Sequence, residues 1–422
     1  MAEDVIFPNK IAAENEMSTT NMMETLCLNR RQLFMSLLAF HAVTQTARAS
    51  PKKNAHFDLF LESLWPSAQA AGVSRVTFDA VIQNLTPEIS VLAKPKAQAE
   101  FTISIPAYIA AAVTPARIAQ SRRMARQLET SLSRARQRHG VPGEMIVAIL
   151  GLESNFGDAT GNADILRVLA TLAWKGKRPE TFSAEFIDAL VMLDKGYAAR
   201  SQLHGSWAGA MGQPQFMPSA YLKYAESDAG DGPPDIWRST ADAAASVGNF
   251  LEKSGWIAEL PAILEVMVPE SFNYSTLDLD FARWRERQIT PADGTSMPTA
   301  GAASLYLPAG SSGPAFLITD NFEVIRKYNM SDAYALAVAL LAERITGHAT
   351  PTIAWPKISP IESAKIKLMQ QSLARQGFYQ GSFDGKLGRA SRNAIHAFQI
   401  NQGISPADGF ATKELLARLG IR

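Results

Sequence analysis

Gly143-Glu-Met-Ile-Val-Ala-Ile-Leu-Gly-Leu-Glu-Ser-Asn-Phe-Gly157 reads as a helix with one misplaced charge. Pro142 suits a helix start, since the first turn has no use for its missing N–H. Ile146, Ile149, Leu150 and Glu153 fall at i, i+3, i+4 and i+7, so the Glu153 carboxyl continues an apolar stripe near the helix end. Burial there favours the protonated carboxyl, because the charged form loses its water. A carboxyl kept protonated near neutral pH is what a general acid requires. The same position also suits a Glu that accepts bonds from a nearby loop or pairs with an arginine.

Outward from this stretch, residues 55–262 are mostly helical in pattern, with apolar residues at three- and four-residue steps in Phe57, Phe60, Leu61 and Leu64, and in Ile118, Met124, Leu128 and Leu132. Pro142-Gly143, Gly157, Gly161, Pro179 and Gly230–Pro234 punctuate it. Residues 263–325 change character: short β-type runs (Ile263–Val268, Ala303–Leu307, Ala315–Ile318) stand among Pro, Gly, Ser and Thr, predicting a small strand-rich insert. A helix resumes at about Ser331, a suitable N-cap, and runs to about Ile345. Three prolines in residues 347–361 bar a regular helix and predict a fairly stiff linker. Beyond it, helices are expected over about Glu362–Gln376, Arg389–Asn401 and Thr412–Leu419. A three-helix unit this small has a marginal core and is expected to act as a tethered binding module.

The chain has 422 residues, enough for two or three domains at about 150 residues each. It is 47% hydrophobic and 19% charged, the composition of a globular protein. Its net charge of +1 argues against a nucleic-acid partner held by bulk charge. The sequence contains no apolar run of about 18 residues, so no transmembrane segment is expected. The single cysteine, Cys27, excludes a disulfide framework and a cysteine-rich zinc site.

Residues 1–49 read as an address. Arg30 and Arg31 precede an apolar stretch, Leu33 to Val43, and then Ala47-Arg48-Ala49, a small-x-small cleavage pattern. The paired arginines followed by Leu33 and Phe34 resemble a twin-arginine export signal. Cleavage after Ala49 leaves a cysteine-free chain from Ser50 in the cell envelope, and no small-residue lipobox leads into Cys27. A soluble periplasmic protein is expected.

A second segment, Gly205-Ser-Trp-Ala-Gly-Ala-Met-Gly-Gln-Pro-Gln-Phe-Met-Pro218, mixes backbone freedom, amides and aromatics. Gly209 and Gly212 permit close backbone approach. Ser206, Gln213 and Gln215 offer hydrogen bonds, while Trp207 and Phe216 offer flat apolar faces. That combination suits a sugar, and equally a tight loop packed by its own aromatics. No His-Glu-x-x-His pair is present, which counts against a zinc peptidase, and no metal or cofactor is expected.

Residues from about 55 to 346 resemble the B-type lytic murein transglycosylases. The matching segments are Gly151-Leu-Glu-Ser-Asn-Phe-Gly157, Leu169-Ala-Thr-Leu-Ala-Trp174, Gly205-Ser-Trp-Ala-Gly-Ala-Met-Gly212, Gln215-Phe-Met-Pro218, Asp231-Gly232 with Asp235-Ile-Trp237, Gly255-Trp256 and Lys327-Tyr-Asn329. Residues 362–420 resemble the small three-helix peptidoglycan-binding module, through Leu368-Met-Gln370, Gly377-Phe-Tyr-Gln-Gly381, Phe383-Asp-Gly385, Ala397-Phe-Gln399 and Asp408-Gly409. The resemblance implies a mainly α, lysozyme-like catalytic domain over 50–346 with a small β-rich insert, a linker over 347–361 and a three-helix module over 362–422. It implies cleavage of the bond between N-acetylmuramic acid and N-acetylglucosamine, with a 1,6-anhydro end as product. Glu153 would be the single acid/base, where most glycosidases use a second carboxylate. By matched position, Ser206 would bond near the acetamido group and Gln215 would bond the sugar, with Met211 in the same segment. Asn329 would orient or stabilise the reacting sugar, and Tyr328, Tyr334 and Tyr108 would wall it. Lys177 and Arg178 would attract substrate carboxylates at the rim, or form an ordinary solvated pair.

The pattern departs from the family in two places. Ser227 and Ala229 stand where carboxylates are common in an acidic loop that can bind a cation; with Asp228, Asp231, Asp235 and Asp242 poorly spaced for an EF-hand, no strong calcium site is expected. Gln213-Pro214 replaces the pair usual in relatives. The rival readings are a hydrolytic muramidase of the same fold and a non-catalytic wall-binding scaffold.

Overall fold

The computed structural model describes residues 54–93, 103–230, 232–349 and 351–421. The export signal assigned to residues 1–49 and the Asp231 position lie outside them. The helix Gly143–Ser154 is the axis of the larger unit. It packs against the helices Pro115–Gln127, Glu129–His139, Thr240–Lys253 and Asp332–Thr346. Every residue from Met145 to Ser154 is buried. The expected stripe is therefore a full circumference: a helix apolar all round is one enclosed by others. The surrounding helices start where short polar side chains supply caps. Thr114, Asp164, Ser239, Thr319 and Ser331 each accept a backbone N–H two or three residues on.

A two-stranded ribbon, β1 (Ala163–Asp164) and β2 (His204–Gly205), ties the start of one long helix to the Gly205–Pro218 segment. The insert forms a five-stranded antiparallel sheet from β3 (Ile263–Met267), β4 (Asp278–Asp280), β5 (Thr290–Pro291), β6 (Ala302–Tyr306) and β7 (Ala315–Ile318). Its spatial order is β4-β6-β7-β3-β5. Strand β7 is buried on both faces. Phe316 and Ile318 join the helical core, whereas Ala315 and Leu317 join a second core with Phe281 and Trp284, as the two-residue period of a strand requires. The insert also holds β4, β5 and the helix Phe281–Glu286, which the sequence reading does not contain. Elements of two to six residues carry too little periodicity to announce themselves.

The C-terminal unit comprises the helices Ser363–Arg375, Arg389–Asn401 and Lys413–Arg418 around Ile366, Met369, Leu373, Ile395, Phe398, Leu415 and Leu416. Two buried glutamines explain its recurrent motifs. Gln370 accepts from Gly385 N at 2.9 Å and donates to Asp384 Oδ1 at 2.8 Å. Gln399 accepts from Gly409 N at 2.8 Å and donates to Asp408 Oδ1 at 3.0 Å. Each amide thus fastens an Asp-Gly turn to a helix.

The connecting segment lies along the sheet: the Glu265 carboxylate of β3 accepts Thr352 N at 2.7 Å and Ile353 N at 3.3 Å, and the Trp355 ring packs over Phe316. The unit then docks on the insert. Arg389 Nη2 donates to Asp278 Oδ1 at 3.0 Å, His396 Nε2 to the Tyr274 carbonyl at 2.6 Å, and Ser311 N to Asp408 Oδ2 at 3.1 Å. Composition indicates a stiff segment but does not show that a surface receives it. Among the described residues no helix is long and apolar enough to cross a membrane.

Candidate active site

Glu153 lies in the last turn of the central helix and is 2% exposed. Beyond Ser154 the chain turns through two left-handed residues, Asn155 (φ 49°) and Phe156 (φ 59°), then Gly157 (φ 97°). Phe156 N bonds the Leu150 carbonyl at 3.1 Å, and Ser154 Oγ accepts Gly157 N at 3.0 Å. The Phe156 ring folds back over Gly151, where a Cβ would stand 2.7 Å from its Cζ. The small residue two before the carboxylate is therefore a packing requirement of the turn that follows it.

Two buried tyrosines face Glu153 from a second element. Tyr328 and Asn329 close the helix Asp320–Asn329, Met330 takes a left-handed turn (φ 47°), and Tyr334 lies in the first turn of Asp332–Thr346. The phenol rings stack, with centroids 6.3 Å apart and 19° between planes. Burial, and after it the negative charge of Glu153, pushes both phenols well above their ordinary value. They stay protonated donors throughout the neutral range. Tyr108, fully buried on the helix Ile105–Ala112, adds to the same effect on Tyr334. Asn329 is 3% exposed, and neither end of its amide meets a protein partner among the described residues.

The Gly205–Pro218 segment closes on itself as a tight loop. Ser206 N bonds the Ala210 carbonyl at 2.8 Å, while Met211 and Phe216 exchange N–H···O bonds of 2.7 and 3.0 Å. Ser206 Oγ accepts from Ala210 N at 3.0 Å, which leaves its own proton to donate. Gln215 sits at φ 53° and donates Nε2 to the Gly212 and Thr160 carbonyls at 2.8 and 3.2 Å, so its Oε1 remains as an acceptor. The segment is thus a self-packed loop in which Ser206 and Gln215 keep spare hydrogen-bonding capacity. Tyr328 Oη reaches it, donating to the Pro214 carbonyl at 2.7 Å. That bond brings Glu153, Tyr328, Tyr334 and the loop into one assembly. Met211 is fully buried in the loop. Gln213 adds a buried, unpartnered Oε1 beside Gly157. Lys177, exposed, and Arg178 occupy the turn between the helices Ile165–Lys175 and Pro179–Asp194.

The described carboxylates of the acidic loop, Asp228, Asp235 and Asp242, are bonded within the protein. Arg134 and Ser131 hold the Asp228 carboxylate, the latter at 2.9 Å. Asp242 accepts Asp228 N and Asp235 N at 3.0 and 2.9 Å. Among the described residues no group of three or more carboxylate, His or Cys side chains is arranged to hold a metal.

Comparison with known proteins places this geometry. The family model described as Transglycosylase SLT domain matches residues 56–343, and that of a peptidoglycan binding domain matches 362–419. Membrane-bound lytic murein transglycosylase B of Escherichia coli (strain K12) is 34% identical over 222 residues, 52% of this chain and 61% of that relative's length. The chain thus spans less than two thirds of that relative. Among solved structures, SltB3 from Pseudomonas aeruginosa in complex with NAG-anhNAM-pentapeptide is 40% identical, with a TM-score of 0.78 over 86% of this chain and 99% of that one. The Escherichia coli lytic transglycosylase Slt35 in complex with calcium is 29% identical, with a TM-score of 0.57 over 70% of this chain and 93% of its own.

Proposed function

This chain belongs to the transglycosylase SLT domain family, and on that premise we propose that it is a lytic transglycosylase of peptidoglycan. Glu153 donates its proton to the glycosidic oxygen between N-acetylmuramic acid and N-acetylglucosamine. It then accepts the proton of the muramyl 6-hydroxyl as that oxygen attacks C1. The glycosidic bond breaks, the 1,6-anhydro bond forms, and no water is consumed. The observation that carries this reading is the burial of Glu153 between two protonated phenols and a hydrogen-bonding loop. One carboxyl, returned to its starting state after each turnover, serves as both acid and base.

The other side chains supply position. Ser206 Oγ donates to the acetamido group, and Gln215 Oε1 accepts from a sugar hydroxyl. The unpartnered Asn329 amide steadies the reacting sugar. Tyr328, Tyr334 and Tyr108 wall the reacting sugar, Met211 backs them from within the loop, and Lys177 and Arg178 attract carboxylates of the lactyl or peptide groups. Residues 50–346 form the catalytic domain, 347–361 the connecting segment and 362–422 the wall-binding module. Residues 1–49 direct export, and the enzyme works in the periplasm.

The test is mass spectrometry of muropeptides released from purified sacculi by residues 50–422. The expected products carry anhydro ends, lighter by one water than reducing ends. Reducing ends would make the enzyme a muramidase, and wall binding without released sugars would make it a scaffold. Glu153→Gln is expected to abolish release and retain binding.

A further inference from the structure

The Arg392 guanidinium lies outside the site described above, yet its contacts reach that site. It projects from the C-terminal helix Arg389–Asn401 into the catalytic domain, pairs with Asp332, and lies over the Tyr306 ring at 4.4 Å. The two paired side chains are only 16% and 5% exposed. Asp332 opens the helix that carries Tyr334 and stands three residues beyond Asn329. Arg326, on the helix that carries Tyr328 and Asn329, approaches the same carboxylate at 3.7 Å and bonds Glu323 at 2.8 Å. The charges Glu323, Arg326, Asp332 and Arg392 thus join both helices flanking the turn to the C-terminal module. A cavity of about 330 Å³ borders Met330, Ser331, Asp332 and Ala333 on the module side.

We propose that Arg392 is a positioning residue for catalysis: by pairing with Asp332 it fixes the Met330–Asp332 turn, and through it Tyr328, Asn329 and Tyr334 against Glu153. The module then sets the geometry of the site as well as holding the wall. This rests on the transglycosylase reading. A side chain displaced by about 1 Å from its reacting position costs up to about a hundredfold in rate. Without Arg392 the buried Asp332 carboxylate keeps only Arg326, 3.7 Å away and already bonded to Glu323, and draws its turn toward water.

The test uses the full exported chain and a soluble glycan of alternating N-acetylglucosamine and N-acetylmuramic acid, on which wall anchoring has no part. Arg392→Met is expected to lower kcat about ten- to a hundredfold at unchanged KM, and to speed amide hydrogen exchange over residues 329–336. Arg392→Met combined with Asp332→Asn, which leaves no lone buried charge, is expected to recover part of that loss. Arg389→Met removes an exposed docking contact and is expected to leave kcat unchanged. If Arg392→Met does not fold, Arg392→Lys takes its place and lowers kcat at constant KM. Wild-type kcat, or a rise in KM alone, would overturn the proposal. If the unaltered chain releases no sugars, the transglycosylase reading fails by itself; the exchange experiment still decides the positioning, and unchanged exchange in Arg392→Met overturns it.

Discussion

Tyr328 Oη donates to the carbonyl of Pro214 at 2.7 Å, across 114 residues of sequence. The bond fastens the helix behind Glu153 to the loop in front of it. Tyr328→Phe leaves a buried carbonyl unpaired and is expected to cost about 1–3 kcal/mol of stability. Chemical denaturation reads the loss. On the transglycosylase reading kcat falls with it, and an unchanged unfolding midpoint would contradict the assigned bond.

Gly151→Ala tests the turn after the carboxylate. The added methyl meets the Phe156 ring at 2.7 Å, closer than such carbons pack, and the buried ring must shift to admit it. A loss of about 1–3 kcal/mol is expected from overpacking, together with reduced turnover. Phe156→Leu in the same chain is expected to restore part of both, measured by thermal unfolding and by sugar release.

Acid sensitivity is expected at Asp228. The Arg134 hydrogen bond holds its carboxyl below the ordinary 3.8. A depressed folded value stabilises the ionised form, so the contribution is full above the unfolded value and is lost as pH falls through the folded one. Unfolding temperatures of wild type and Asp228→Asn should therefore differ at neutral pH and draw together below about pH 4. A gap independent of pH would remove Asp228 from the acid-labile set.

Glu265→Ala removes the carboxylate that receives Thr352 and Ile353. Hydrogen bonds to a charged group are each worth about 1.5–3 kcal/mol. Cleavage within residues 351–361 by added protease is expected to quicken about tenfold or more, as the open form gains population. Equal cleavage of both proteins would mean that the segment is held by its prolines and Trp355 alone.

The parts of this molecule legible in sequence are those whose signal is local. The helix through Glu153, the Ser331 cap and the three C-terminal helices each depend on residues within a few positions of one another. Ser331 Oγ does accept Tyr334 N, at 3.3 Å. What stayed hidden depends on distant partners. Tyr328 and Pro214 share a bond that no spacing announces. Nothing near Arg392 in sequence marks its partner, Asp332, 60 residues earlier. The 347–361 segment has the composition of a spacer whether water or a sheet lies beside it. Glu153 itself shows the limit from the other side: the pattern placed it on a stripe, and only the four packed helices reveal that the stripe has no opposite face.

That enclosure has a consequence for how the protein fails. From Met145 on, the helix that carries Glu153 has no wet side, so its middle amides, from Ile146 to Leu150, reach solvent only when the whole domain opens. Exchange at those amides then reports the opening of the whole domain, and their protection after heating counts intact molecules.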